Sequence, residues 1–305
     1  MSTSAASFPS PVKYIPDLLY AFKTDYLIIP IVLLTSFYVE KLPPAQKYVN
    51  IYDSRIQYPY HEDKFDTVPT PLCFFYAVIL PLGIVILMEL IRVKFNVFSI
   101  CKSKKALFRV HGLIFGFVFA TLIDLMILVF LKMWISQPRP DFISRCEVNS
   151  NLIKTGVQVY KVSEICMNSN KAVLMEGLRS TPSGHSAISF TGLNYLSLYL
   201  FSNFQSSSSS SSSSSSFSSP LTMFKILVGY SPLYLAVYIA TSRLADYKHT
   251  LFDISFGSTI GVIISILVWR HYDKRSIVEG EDQQHGFVRV NGNGTIDESQ
   301  PILPL

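Results

Sequence analysis

The chain has 305 residues, 49% of them hydrophobic and only 15% charged, with a mean hydropathy of +0.34. That balance lies well to the apolar side of a soluble domain and points to a membrane protein. A formal net charge of +5 gives no reason to invoke nucleic acid.

In chain order, residues 1–25 carry neither a basic n-region nor a small-residue cleavage site, and they read as a cytosolic N-terminal segment before a retained signal-anchor. Uncharged or nearly uncharged stretches then recur at residues 26–39, 71–88, 110–131, 184–201, 226–241 and 250–269. Each can be extended by flanking Leu, Tyr and Phe toward the roughly 20 residues that a bilayer core requires. The expected fold is therefore all-α and integral to the membrane, a bundle of six transmembrane helices over residues 26–270. The connection 92–109 gathers Arg92, Lys94, Lys102, Lys104, Lys105 and Arg109 without a carboxylate, which suits the cytosol. The loop 41–69 instead mixes Lys47, Arg55 and Lys64 with Asp53, Glu62, Asp63 and Asp66. Both termini are accordingly placed in the cytosol. The poly-serine run within residues 203–222 reads as a flexible cytosolic loop, and residues 271–305 as a disordered cytosolic tail.

With six spans, the loop after the third, the start of the fourth and the loop between the fifth and sixth share the non-cytosolic face. Cys146 and Cys166 lie in the first of these places, where an oxidising compartment permits a disulfide; two unpaired thiols are the alternative. Cys73 and Cys101 read as apolar packing residues, His111 as an interfacial residue, and Asp124 as the donor or acceptor of a helix-packing hydrogen bond. The sequon Asn293 to Thr295 falls in the cytosolic tail and is expected to be unmodified.

The same face holds the reactive residues. At the end of the third span comes KMWISQPRPDF, in which Lys132 and Arg139 are held at one interface by the helix-stopping Pro138 and Pro140. An ammonium and a guanidinium suit a phosphate, although snorkelling residues look the same in isolation. GLRSTPSGHSA opens the fourth span with a turn whose amides and Ser183 hydroxyl can face an anion, and it places His185 in the first helical turn. TSRLADYKHTLFDIS opens the sixth. Its His249 and Asp253 share a helix face, the carboxylate fixing the tautomer while the other imidazole nitrogen attacks, and Arg243 is at hand for the anion. A structural ion pair is the bland alternative.

Together the three stretches resemble the phosphatase motifs of the type 2 phosphatidic acid phosphatase family, in its lipid phosphate phosphatase branch, and within that branch the chain is similar to the insect wunen type. Lys132 to Pro140 fits K-x6-R-P, Pro182 to His185 fits P-S-G-H, and Ser242 to Asp253 fits S-R-x5-H-x3-D. Eleven fixed positions at about one in twenty each, over some millions of ordered placements, give a chance match of order one in a hundred million. That outweighs the separate bland readings. The YPY within SRIQYPYHED also resembles the lipid phosphatase branch and argues against a soluble phosphate ester such as a sugar phosphate.

The resemblance implies an enzyme in which His249 is the nucleophile, Asp253 its partner and His185 the acid for the departing lipid alcohol. It implies a phosphate cradle of Lys132, Arg139, Ser183, Gly184 and Arg243, with no metal and no cofactor. Expected substrates are phosphatidate, lysophosphatidate, sphingosine 1-phosphate or ceramide 1-phosphate, met at the extracellular or luminal face. The plasma membrane is favoured over endomembranes, and a homo-oligomer is compatible with the branch. Ser136, Gln137, Pro138, Asp141 and Thr250 depart from the branch pattern, and Asp141 adds negative charge beside an anion site. The competing class is a catalytically silent lipid-binding or interaction protein, which predicts lost motif residues where His185, Arg243 and His249 are retained.

Overall fold

In lipid an unpaired backbone amide is costly, so an apolar stretch closes its hydrogen bonds within itself as a helix. The computed structural model, which describes residues 14–42, 48–94, 96, 100, 103–208 and 220–281, is built on that solution. Its helices are α1 (Ile15–Ala21), α2 (Lys23–Lys41), α3 (Thr70–Arg92), α4 (Lys104–Ile135), α5 (Gly184–Ser208), α6 (Pro220–Ala245) and α7 (Leu251–Glu281). The six apolar stretches fall in order on α2 to α7, each inside its helix except for Thr250, which precedes α7 by one residue.

Four of these helices, α3, α4, α6 and α7, are long and apolar enough to cross a membrane, and α1 with α2, bent by 57°, makes a fifth if the pair is one span. Helix α5 has 25 residues but is too polar to be counted with them. Its position explains why. It packs on α7, α6, α4 and α3, and its Ser186, Ser189, Thr191, Asn194 and Ser197 are buried. Asn194 Nδ2 donates to Ser265 Oγ at 2.7 Å and Ser189 Oγ to the Ser186 carbonyl at 3.1 Å, so these two polar side chains are satisfied inside the bundle. The outer helices carry the apolar surface instead: Leu34 and Phe37 on α2, Leu87 on α3, Leu227 and Tyr234 on α6, and Leu267 on α7 are all exposed. A belt of that extent marks a multi-pass membrane protein.

Contact between α5 and α7 is close because α7 presents glycine. A Cβ added at Gly257 or Gly261 would collide with the carbonyl oxygens of Ser183 and Ala187. The start of α5 is thereby pressed against the start of α7, which is where two of the three motifs lie.

Over that end of the bundle sits a small cap. Strand β1 (Tyr48–Asn50) pairs antiparallel with β2 (Val159–Lys161), Val49 facing Tyr160. Three short helical segments, Phe142–Cys146, Val162–Ile165 and Lys171–Gly177, complete it. Val49, Ile51, Ile56, Phe142, Val162 and Ile165 form its core, and Cys146 is disulfide-bonded to Cys166.

Three features bear on the expectations above. Helix α7 runs on to Glu281 instead of giving way to a tail at residue 271, because Tyr272 is buried against Phe22 and Arg275 Nη1 donates to Asp25 at 2.6 Å. Asp124 is fully buried and has Thr191 of α5 as its hydrogen-bonding neighbour, which is the helix-packing contact expected of it. His111 is drawn into an aromatic group with Phe22 and Phe115 and lies 2.6 Å from the Tyr26 hydroxyl. Cys101, the sequon at Asn293 and residues 209–219 of the serine run lie outside the described residues.

Candidate active site

Helix α6 ends just past Arg243, and its last turn sets the geometry of the loop that leads into α7. Tyr247 takes a left-handed conformation (φ 53°), and the amides of Lys248 and His249 both bond back to the Arg243 carbonyl, at 3.1 and 3.3 Å. This left-handed cap stops the helix and folds His249 beside Arg243. Helix α7 then starts on a reciprocal cap. The Asp253 amide donates to Thr250 Oγ1 at 3.3 Å, and the Thr250 amide donates to Asp253 Oδ2 at 2.8 Å. Thr250, a departure from the branch pattern, thus serves as the helix cap that also orients Asp253.

The carboxylate of Asp253 has further donors. Ser180 Oγ donates to Oδ2 at 2.7 Å and the Thr181 hydroxyl to Oδ1. His249 Nδ1 stands 3.8 Å from Oδ2, an ion-pair distance, and 3.4 Å from Ser180 Oγ. Ser180 therefore bridges the pair, giving its proton to the carboxylate and offering its oxygen to the imidazole N–H. His249 is 4% exposed. Burial, reinforced by the Arg139 and Lys132 charges against the opposing pull of Asp253, holds its pKa well below the ordinary imidazole value. The ring is neutral near neutrality, with Nδ1 directed to the carboxylate side and Nε2 without a partner among the described residues.

The His249 ring lines a cavity of about 300 Å³ whose wall also includes Lys132, Arg139, Gly184, His185 and Arg243. Six of the eight residues expected at the site meet there, from the ends of α4, α5 and α6 and the loop before α7. Asp253 stands behind His249. Ser183 differs: it is fully buried, its amide donates to the Asp253 carbonyl at 3.0 Å and its Oγ accepts from Ser186 Oγ at 3.1 Å, so it joins the turn to α7 from behind the wall. Lys132 Nζ donates to the Arg179 carbonyl at 2.8 Å. His185 is fixed through Nε2, 3.1 Å from the Val68 carbonyl, which leaves Nδ1 for the cavity. Toward the membrane the wall is apolar, with Cys73, Phe74, Leu125, Leu128 and Ile188.

The cations of the site are backed by acids that motif reading did not single out. Arg243 Nη1 donates to Asp66 Oδ2 at 2.9 Å and Nη2 to Asp246, while Thr67 donates to Asp246 through its amide and hydroxyl. Lys248, 1% exposed, donates to the His61 carbonyl at 2.7 Å and Asp63 at 3.0 Å. Arg139 pairs with Glu176. The YPY element acts at this layer: Tyr58 stacks on Tyr247 at 4.6 Å, its amide donates to the Pro140 carbonyl, and the Tyr60 ring lies 4.3 Å from the Arg145 guanidinium. It joins the first motif to the third.

Asp141 was expected to put negative charge at the anion site. The structure turns it away: Asp141 and Arg145, 0% and 2% exposed as side chains, close on each other through two 2.8 Å hydrogen bonds, and neither lines the cavity. Gly177 makes room for this pair, since a Cβ there would come within 2.9 Å of Arg145 Cδ. Among the described residues no group of three or more His, Cys, Asp and Glu side chains is placed to hold a metal ion.

The sequence profile of the PAP2 superfamily matches residues 113–277, which include all three motifs. The chain is 27% identical over 248 residues to diacylglycerol pyrophosphate phosphatase 1 of Saccharomyces cerevisiae, covering 81% of this chain and 78% of that one. It is 26% identical over 285 residues to the probable diacylglycerol pyrophosphate phosphatase 1 of Schizosaccharomyces pombe, at 89% and 91% coverage. Lipid phosphate phosphatase 1 of Arabidopsis thaliana is 28% identical over 252 residues, at 82% and 68%. No solved structure matches the chain.

Proposed function

This chain belongs to the PAP2 superfamily, and from that premise we propose that it is an integral membrane lipid phosphate phosphatase working through a phosphohistidine on His249 without a metal ion. The observation that carries the proposal is the meeting of Lys132, Arg139, Gly184, His185, Arg243 and His249 around one cavity, although up to 117 positions separate them. In the first step His249 Nε2 attacks phosphorus and the bond to the lipid oxygen breaks. His185, its Nε2–H held by the Val68 carbonyl, takes a proton at Nδ1 from the phosphate monoanion as it binds and gives that proton to the departing oxygen. The positive charge on phospho-His249 is met by Asp253, held in place by Ser180, Thr181 and Thr250. In the second step water attacks phosphorus, His185 takes its proton, the P–N bond breaks and inorganic phosphate leaves.

Lys132, Arg139 and Arg243 supply charge to the equatorial phosphoryl oxygens, the stabilisation on which phosphoryl transfer mostly depends. Ser183 caps α5 from behind, and the amides of Gly184 and His185 at the helix start add to the cradle. Substrates are phosphatidate, lysophosphatidate, sphingosine 1-phosphate and ceramide 1-phosphate; the two yeast relatives add diacylglycerol pyrophosphate. The apolar wall of the cavity supports a lipid over a sugar phosphate. The chain crosses the bilayer six times, α5 being the shielded fourth span, with both termini in the cytosol and the site on the outer or luminal side of the plasma membrane or an endomembrane.

The test is phosphate release from these lipids in detergent micelles with excess EDTA, comparing the unmodified protein with His249→Ala. The proposal expects release that survives chelation and is lost in the variant. A folded, unmodified protein that releases none would favour the silent lipid-binding reading.

A further inference from the structure

The cavity wall is balanced in charge by its own side chains: Lys132, Arg139 and Arg243 line it together with Asp63, Asp66 and Glu176. The three acids are not equivalent. Asp66 is buried and shared among Arg243, His61 and Lys248, at 2.9, 3.1 and 3.4 Å, so three neighbours on different segments hold it in place. Asp63 belongs to Lys248, outside the cavity wall. Glu176 has one ion-pair partner, Arg139, and its side chain is 41% exposed where that of Arg139 is 8% exposed. Its open side is the cavity. Arg139 also retains a buried Nε with no acceptor among the described residues, so the guanidinium has a donor to give in addition to those that face Glu176.

The carboxylate is placed there by construction. The Arg139 amide donates to the Gly177 carbonyl at 2.8 Å, tying the backbone of Glu176 to that of its partner, and the Asp141–Arg145 pair packs behind Gly177. Burial pushes the Glu176 pKa upward, but the Arg139 and Lys132 charges outweigh it and keep the carboxyl below its ordinary range, so an anion occupies the position before any phosphate arrives.

We propose that Glu176 sets the anion affinity of the site: a resident carboxylate that holds Arg139, competes with a phosphate group for it, and so weakens phosphate binding and hastens release of inorganic phosphate. The inference rests on the phosphatase reading above. Two like charges about 5 Å apart at an effective dielectric near 20 repel enough to change affinity on the order of 10-fold or more.

The test uses the full chain in detergent micelles, with inorganic phosphate and orthovanadate as probes. Inhibition constants are measured during turnover and dissociation constants by calorimetry. Glu176→Gln keeps the shape and removes the charge, and the expected result is both anions bound on the order of 10-fold more tightly, with a lower KM and no gain in kcat. Glu176→Asp keeps the charge and is expected to bind both within about 3-fold of the unmodified protein. Glu164→Gln, at an exposed position of the cap, controls for net charge and is expected to change nothing. Anion affinity unchanged or weakened in Glu176→Gln would overturn the proposal and leave Glu176 as a structural prop for Arg139. A protein that binds phosphate more tightly as Glu176→Gln but hydrolyses no lipid would keep the competitor and sink the phosphatase. A protein that binds neither anion would sink both.

Discussion

Two buried pairs in this molecule have the same sequence spacing, Asp141 with Arg145 and His249 with Asp253, and they do different work. Asp141 and Arg145 satisfy each other completely, by two 2.8 Å hydrogen bonds in the cap core. His249 and Asp253 stand 3.8 Å apart, with Ser180 between them, and the imidazole keeps Nε2 free at a cavity wall. A closed pair stabilises; an incomplete one, held by surrounding donors, is available to react. Spacing alone could not have told them apart, because what separates them is the set of atoms left without a partner.

Substitutions sharpen that difference. The largest effect is expected of His249→Ala, which should reduce phosphate release by about 1,000-fold or more while leaving the thermal unfolding temperature near that of the unmodified protein. Asp253→Asn should lower turnover about 100- to 10,000-fold through the wrong tautomer and an uncompensated phosphoimidazole. Arg145→Met should do the opposite of His249→Ala. By stranding Asp141 in the cap it should destabilise the fold by about 3–5 kcal/mol, seen in denaturant or thermal unfolding, and Asp141→Leu added to it should recover most of the loss. If Arg145→Met removed activity without touching stability, the contrast between the pairs would break. Thr250→Ala, which removes a cap, should lower stability by about 1 kcal/mol and turnover modestly.

The smallest expected effect is on the pH profile. In the proposed mechanism the neutral imidazole is the nucleophile and burial lowers the His249 pKa, so on the acid side kcat/KM should fall only as pH drops below about 6.5, the ordinary histidine value. An acid limb above that value would contradict the electrostatics of the site.

Much of this arrangement was legible in the sequence, and the pattern of what was not is physical. Apolar runs marked α2, α3, α4, α6 and α7 because lipid-facing helices must be uniformly apolar, an uncharged run marked the shielded α5, and the motifs marked His185, Arg243 and His249 because ionisable residues stand out at a membrane boundary. Ser180, Thr181, Asp66 and Glu176 were missed as ordinary polar loop residues, significant only once α5 and α7 are pressed together and the cap folds over them. Asp141 was read as a nearby charge because sequence proximity to Arg139 does not reveal that Arg145 lies on the other side. Helix α7 outlasted its apolar stretch because Tyr272 and Arg275 find Phe22 and Asp25 some 250 positions away in the chain.

The most direct measurement is to quench the protein during turnover of lipid carrying radiolabelled phosphate and ask where label is held. The account predicts a covalent label that is stable to alkali, labile to acid, mapped to the peptide containing His249, and absent from His249→Ala. Label on another residue, or full turnover by His249→Ala, would contradict it.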